Sequence, residues 1–232
     1  MKALQWLGMA RHGESTANVA AHQAAARGLD AADSSLREAD VPLSQVGRDQ
    51  AVALGRRLAA LPPGERPTAV LSSPYLRARD TARLALEQLA DPPPLVLDER
   101  LRDRELGDLY LLTQRGVEAR YPEEAERKRR IGKFYYRPPA GESWADVALR
   151  LRSVLGDIHR EHPGGRVLVV AHDALVVLTR YIIERLTEEE LLDVERTVVA
   201  NGSLTVWARE HGELRLVTFN DTSHLKDGGL DP

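Results

Sequence analysis

The 232-residue sequence contains no cysteine. That absence excludes disulfide bridges, thiolate nucleophiles and zinc–thiolate sites together, and leaves the redox compartment unspecified. No apolar run approaches the ~20 residues that span a bilayer. The first residues, Met1 to Trp6, do not lead into the long apolar core and small-residue cleavage site of a secretory leader. Charge of a single sign is also missing. The formal net charge is −3, and charged residues are mixed along most of the chain, so neither nucleic acid nor a membrane surface is called for as a partner. There is no internal repeat. The expectation is a cytoplasmic protein whose partners are small molecules.

What the sequence does contain is alternation. Gln5 to Ala10, Thr68 to Leu71, Leu95 to Leu97 and Val167 to Ala171 read as strands, and amphipathic helical stretches separate them. This pattern predicts a three-layer α/β/α fold with a largely parallel central sheet. Ser203 to Ala208 and Glu213 to Phe219 flank a hairpin turn over Arg209-Glu210-His211-Gly212, which predicts an antiparallel edge strand. Ser44 caps a helix to about Ala60, Ser73-Pro74 reads as an N-cap followed by a first-position proline, and Ser143 caps a helix to about His162. The length fits one domain over residues 1–232.

Residues 19–41 and 111–139 interrupt the alternation, and long insertions at one end of a sheet often form lids. A helical lid insertion is therefore part of the expected fold. From Arg115 to Arg137 eight basic residues face four acidic ones, a local excess of +4. They read either as a solvated helix laced with ion pairs or as a group that attracts anions.

Arg11-His12-Gly13-Glu14 follows the apolar run Leu4 to Ala10, which puts a histidine at the carboxyl end of a strand. A neutral imidazole nitrogen can attack phosphorus, and a neighbouring guanidinium binds phosphate oxygens while discouraging protonation of the ring. On these residues alone, a strand-end histidine beside a solvated arginine is an equal reading. In open α/β sheets, however, ligands bind outside the carboxyl ends of the strands. Those ends deliver Arg11 and His12, then Ser72-Ser73-Pro74 with Arg77, then Arg100 to Glu105, then Ala171-His172-Asp173. Singly, Arg77 reads as a helix-surface arginine and Asp103 as an ion-pair partner of its neighbours. Together they suit phosphate transfer.

The ordered set resembles the histidine phosphatase superfamily, the phosphoglycerate mutase-like proteins. It comprises Arg11-His12-Gly13-Glu14 with Asn18, Ser72-Ser73-Pro74 with Arg77-Ala78 and Thr81, Gly141-Glu142-Ser143, and Val169-Val170-Ala171-His172, and the likeness runs to Asn201-Gly202-Ser203. The resemblance implies that His12 becomes phosphohistidine and that Arg11, Arg77 and His172 hold the phosphoryl oxygens with help from Asn18. It implies Asp103 as proton donor, with Glu105 the competing candidate. It calls for no metal and no cofactor, and for a small phosphorylated metabolite as substrate.

Departures from the pattern bear on the reaction. The stretch after Gly107 lacks the glutamate-glycine or glutamine-glycine pair common there; Gln114 stands where mutases carry a substrate-binding lysine; and Asp173 follows His172 in place of glycine. Arg129-Arg130 resembles the paired arginines that mutases use for the substrate carboxylate, so both are candidate substrate-binding residues. The balance favours a metal-independent phosphomonoester hydrolase. The alternatives are a cofactor-dependent phosphoglycerate mutase and a non-catalytic module that binds a phosphate ligand. Oligomeric state is not encoded, although the terminal hairpin offers a sheet edge on which two copies can pair.

Overall fold

The computed structural model describes residues 3–226 and 229–230, so the extreme ends of the expected 1–232 domain lie outside the described residues. Six strands, β1 (Trp6–Arg11), β2 (Ala69–Ser72), β3 (Leu95–Leu97), β4 (Arg166–Ala171), β5 (Leu204–Glu210) and β6 (Glu213–Asp221), form one sheet in the order β3-β2-β4-β1-β5-β6. The first four in that order are parallel, β5 runs antiparallel to β1, and β6 antiparallel to β5. The antiparallel edge is thus a two-stranded hairpin. Its turn is shorter than the sequence suggested: Arg209 and Glu210 are in β5, and only His211 and Gly212 connect the strands. Both have positive φ, 49° and 89°, the geometry whose twist suits a two-residue hairpin.

The described helices are α1 (Thr16–Ala26), α2 (Gln45–Ala60), α3 (Leu76–Leu86), α4 (Gln114–Arg120), α5 (Pro122–Ile131), α6 (Trp144–Glu161), α7 (Asp173–Ile183), α8 (Glu188–Glu195) and the short α9 (Ser223–Lys226). Strand β4 shows how the layers arise. Successive side chains point to opposite faces. Val167, Val169 and Ala171 enter a core with Leu151, Val154 and Ile158 of α6 and Leu175 and Leu178 of α7. Leu168 and Val170 enter the opposite core with Leu54 and Leu58 of α2 and Ala78, Ala82 and Ala85 of α3. An unbroken apolar run is therefore what a central strand covered on both faces requires.

Local caps fix where the helices begin. Ser44 accepts from the Gly47 amide and Ser143 from the Asp146 amide, the latter completed by a reciprocal Asp146 bond. Ser73-Pro74 behaves differently from its expected reading. Helix α3 starts at Leu76, after an extended Tyr75, and no side chain caps it. Ser73 Oγ instead accepts from the Tyr75 amide at 3.2 Å and lies 2.9 Å from His172 Nε2.

The chain leaves β1 toward the face of α2 and leaves β4 toward the face of α7. Because β1 and β4 are neighbours, a crevice opens between their carboxyl ends, the topological switch point at which open α/β sheets bind ligands. His12 follows β1 and His172 follows β4 at this crevice.

The loop carrying His12 is pinned by a contact between two glycine backbones. A Cβ on Gly13 would lie 2.2 Å from the Gly47 carbonyl oxygen, and one on Gly47 would lie 1.9 Å from the Glu14 carbonyl oxygen. Glu14 adds a side-chain tie, since Ser44 Oγ donates to Glu14 Oε1 at 2.5 Å. Gly47→Ala is expected to destabilise the protein by about 1–3 kcal/mol, as overpacking of a close contact does. A urea melt checks this: the midpoint should fall, and an unchanged midpoint would show that the helix can retreat without cost.

Candidate active site

Four segments bring the site together. His12 is 3% exposed, and its Nδ1 lies 2.7 Å from the carbonyl oxygen of Gly13. A carbonyl only accepts, so Nδ1 carries the proton and donates, and Nε2 keeps its lone pair. Arg77 Nε donates toward that Nε2 at 3.3 Å. Burial, followed by the nearby His172, Arg77 and Arg11, pushes the His12 pKa well below its ordinary value, and the Gly13 bond only partly offsets this. The ring is therefore neutral at neutral pH, with its open nitrogen turned to a guanidinium.

The surrounding backbone is committed to holding this loop. The Gly13 amide donates to Thr81 Oγ1 at 3.0 Å, and Thr81 Oγ1 donates to the Arg77 carbonyl at 2.7 Å. The His12 carbonyl accepts from the Gly202 amide and from Asn201 Nδ2, both at 3.1 Å. Arg11 Nη1 donates to the Val199 carbonyl, and its Nη2 lies 3.8 Å from Asp173. Asn18 lines the pocket. Its Oδ1 accepts from the Ser15 amide, Ser15 Oγ and Asn201 Nδ2, so its amide nitrogen is the group left as a donor there.

His172 is fully buried, with its ring 5.2 Å from that of His12 at 64° between planes. With Ser73 on its Nε2, its Nδ1 faces Asp103 Oδ2 at 3.2 Å, off the direction of a formed hydrogen bond. Arg11 Nε is likewise buried without a hydrogen-bond partner among the described residues. Arg11 Nε is thus a buried donor still in need of an acceptor beside the pocket that His12 lines, and a phosphoryl oxygen suits it.

Asp103 is held by charge-assisted bonds. Arg77 Nη2 donates to Oδ2 at 2.8 Å and the Arg104 amide to Oδ1 at 2.8 Å. Burial pushes this carboxyl up, but His172, Arg77 and His12 outweigh burial and hold it below the usual carboxylate range. Glu105, the competing candidate, is about half exposed, pairs with Arg102 at 3.4 Å and does not line the pocket. The Gly141-Glu142-Ser143 stretch acquires a physical role here. The Glu142 carboxylate accepts from Arg102 at 2.7 Å, from Arg150 at 2.9 Å and from the Glu105 amide at 3.2 Å, while Arg150 Nη2 donates to the Asp103 carbonyl at 3.0 Å. The loop bearing Asp103 is strapped to α6.

The pocket is a cavity of about 600 Å³. Beyond Arg11, His12, Asn18, Arg77 and Asp103 it is lined by residues of both insertions: Ala21, Ala25, Ala32 and Glu38 from one, Leu111 to Gln114 and Lys133 from the other. Arg129 and Arg130 do not reach it. Both are exposed on α5, where Arg129 pairs with Glu126 at 2.5 Å. Much of the basic excess is laced into ion pairs of this kind, as with Arg127 and Glu124, Lys133 and Glu195, and Arg137 and Asp146. Sequence reasoning missed Glu38, Arg104 and the part played by Ser73. Arg104 lines the cavity, its Nε donates to the Glu142 carbonyl at 2.8 Å, and no carboxylate among the described residues pairs with its guanidinium.

Fold and site together define an α/β protein that gathers imidazoles and guanidiniums at a switch-point crevice fit for a phosphoryl group. The model of the histidine phosphatase superfamily (branch 1) matches residues 7–222, and the chain belongs to that family. It is similar to a 2,3-bisphosphoglycerate-dependent phosphoglycerate mutase 2 of Gloeobacter violaceus, 36% identical over 159 residues, covering 67% of this chain and 70% of that protein. It is also similar to a metal-independent phosphoserine phosphatase of Arabidopsis thaliana, 31% identical over 222 residues, covering 96% and 84%. Among solved structures, mycobacterial glucosyl-3-phosphoglycerate phosphatase in complex with VO3 superposes with a TM-score of 0.74 at 27% identity, over 94% of this chain and all of that one. The protein is thus an enzyme of the superfamily, phosphatase or mutase-like.

Proposed function

We propose that the protein is a metal-independent phosphomonoester hydrolase acting through a phosphohistidine on His12, with Asp103 as proton donor. The observation that carries this reading is the His12 tautomer. Nδ1 is tied to the Gly13 carbonyl, so Nε2 presents a lone pair beside Arg77. Phosphoryl transfer asks for positioning and for charge on the equatorial oxygens to be stabilised, which Arg11, Arg77, His172 and Asn18 supply without a metal. The leaving alkoxide needs a proton. Asp103 loses Arg77 as a partner when phosphoryl oxygens take that guanidinium, so its affinity for a proton rises as substrate binds. In the second step it takes a proton from the water that attacks phosphohistidine.

The substrate is proposed to be a small phosphorylated metabolite that carries a carboxylate. Phosphoserine and phosphoglycerate derivatives, the compounds in the relatives' names, both carry one, and Arg104 offers at the cavity wall a guanidinium that no carboxylate among the described residues pairs. Arg104→Gln is expected to raise KM for phosphoserine on the order of tenfold, the scale of one charged hydrogen bond, and to affect p-nitrophenyl phosphate much less. Equal effects on both esters would take Arg104 out of leaving-group recognition.

Hydrolysis is favoured over mutase activity by two residues at the cavity wall and two that are absent from it. Gln114 and Asp173 line it, and Arg129 and Arg130 do not. A binding module has no need of a bare nucleophilic nitrogen. The test is phosphate release over phosphoserine, phosphoglycerates, sugar phosphates and p-nitrophenyl phosphate, in chelator, with and without bisphosphoglycerate. Chelator-resistant release supports the proposal. Bisphosphoglycerate-dependent isomerisation outrunning release, or binding with no release, contradicts it.

A further inference from the structure

Glu38 opens the 3₁₀ turn Glu38–Asp40, inside the insertion between α1 and α2 and outside every motif of the family resemblance. Its side chain reaches the catalytic pocket. Arg77 Nη1 donates to the Glu38 carbonyl at 2.7 Å, and Arg77 Nη2 lies 3.4 Å from Glu38 Oε1 while bonding Asp103 Oδ2 at 2.8 Å. Two carboxylates therefore converge on one nitrogen of the guanidinium that also faces His12. A phosphoryl dianion bound at His12 competes for the same donors. Three anionic groups around one cation do not all stay ionised, so one carboxyl takes up a proton.

Groups facing Glu38 decide which one. Arg77 and Tyr75 face it from α3 and its cap, Asp103 and Glu105 from the segment after β3, and Tyr110 from the loop that follows. On its own turn, Arg37 and Asp40 pair with each other at 2.6 Å. Arg77 is the one cation in this set that reaches Glu38, and Asp103 holds it more closely. Burial, then the charge of Asp103, push the Glu38 carboxyl up to about 7, against the pull of Arg77, whereas Asp103 is held low.

We propose that Glu38 and Asp103 act as a carboxyl pair sharing one proton on Arg77, with Glu38 the member that holds it before substrate binds. This rests on the reading of phosphoester hydrolysis through His12. The His12 Nε2 lone pair forms the N–P bond, the P–O bond to the leaving group breaks, and its electron pair goes to the leaving oxygen. That oxygen takes the pair's proton, and both carboxyls are left ionised only because the ring, phosphorylated at Nε2 and still carrying its Nδ1 proton, has gained a formal positive charge that offsets one of them. Water then attacks phosphorus and gives a proton back to the pair, and the N–P electron pair returns to Nε2. Neither residue acts as an isolated acid, so their titration belongs to the pair.

The experiment compares the full-length protein with Glu38→Gln and Glu38→Asp on phosphoserine, whose alkoxide needs a proton, and on p-nitrophenyl phosphate, whose phenolate leaves well as an anion. Glu38→Gln should lose on the order of 10² in kcat/KM on phosphoserine, the scale of a general acid, and severalfold at most on the aryl ester. In the native protein kcat/KM for phosphoserine should fall as pH rises through about 7. That limb should vanish in Glu38→Gln and return in Glu38→Asp. A limb kept by Glu38→Gln, or equal losses on both esters, overturns the proposal by reducing Glu38 to a prop for Arg77. If His12→Ala hydrolyses the aryl ester at the native rate, the parent reading fails instead, whatever the Glu38 variants do.

Discussion

Replacing His12 with alanine is expected to lower kcat/KM by on the order of 10⁴ or more for every phosphomonoester the protein accepts, the scale on which removal of a covalent nucleophile acts. The geometry makes the effect uniform across substrates. On the proposed mechanism His12 contacts the phosphoryl group that all substrates share, and its Nε2 is kept unprotonated by the Gly13 bond on the opposite nitrogen and by burial among Arg77, Arg11 and His172. The fold should survive the change. The loop is held through backbone bonds of His12 and Gly13 to Gly202, Asn201 and Thr81, none of which uses the imidazole. A thermal melt and inorganic phosphate binding, both near native, alongside the lost turnover would separate chemistry from folding. Turnover retained within tenfold would remove His12 from the mechanism.

The second large effect is expected at Asp103. Asp103→Asn keeps a group able to accept from the Arg104 amide but cannot deliver a proton to the leaving oxygen, so alkyl phosphates should lose about 10² to 10⁴ in kcat. Aryl phosphates should lose less, because their leaving groups depart without help. Steady-state kinetics on phosphoserine and p-nitrophenyl phosphate check the contrast. Glu105→Gln should change neither appreciably, given its half-exposed position and its pairing with Arg102. The reverse ranking, with Glu105→Gln the more damaging, would move the acid two residues along the chain.

The parts of this account that were legible in the sequence share one physical property: they sit at the ends of apolar runs. Val167 to Ala171 had to be a central strand because it is apolar on both faces, and His172 therefore had to follow at the crevice. The same reasoning placed His12 after β1 and Arg77 after β2. Ser44 and Ser143 were readable as caps because their hydrogen bonds are local. Ser73 was misread for the same reason. Its local pattern says N-cap, while beyond the nearby Tyr75 amide its hydroxyl meets His172, ninety-nine residues away.

Charge was less legible than hydrophobicity. A run of arginines does not show which of them find carboxylates, and Arg129 found Glu126 on the exposed face of α5. Arg104, a pocket cation that no carboxylate among the described residues pairs, lay in plain view beside Asp103 but looked like its ion-pair partner. Glu38 had no sequence signal, since nothing in an alanine-rich insertion tells that one carboxylate folds back over Arg77.

The central claim is a covalent bond between phosphorus and one nitrogen of one histidine. The most direct measurement is rapid quench of the full-length protein with a labelled phosphomonoester, followed by peptide mapping under alkaline conditions. The account predicts an acid-labile, alkali-stable phosphoryl group on His12, formed and consumed no more slowly than turnover and missing in His12→Ala. Full turnover with no such adduct, or with the label on another residue, would contradict it.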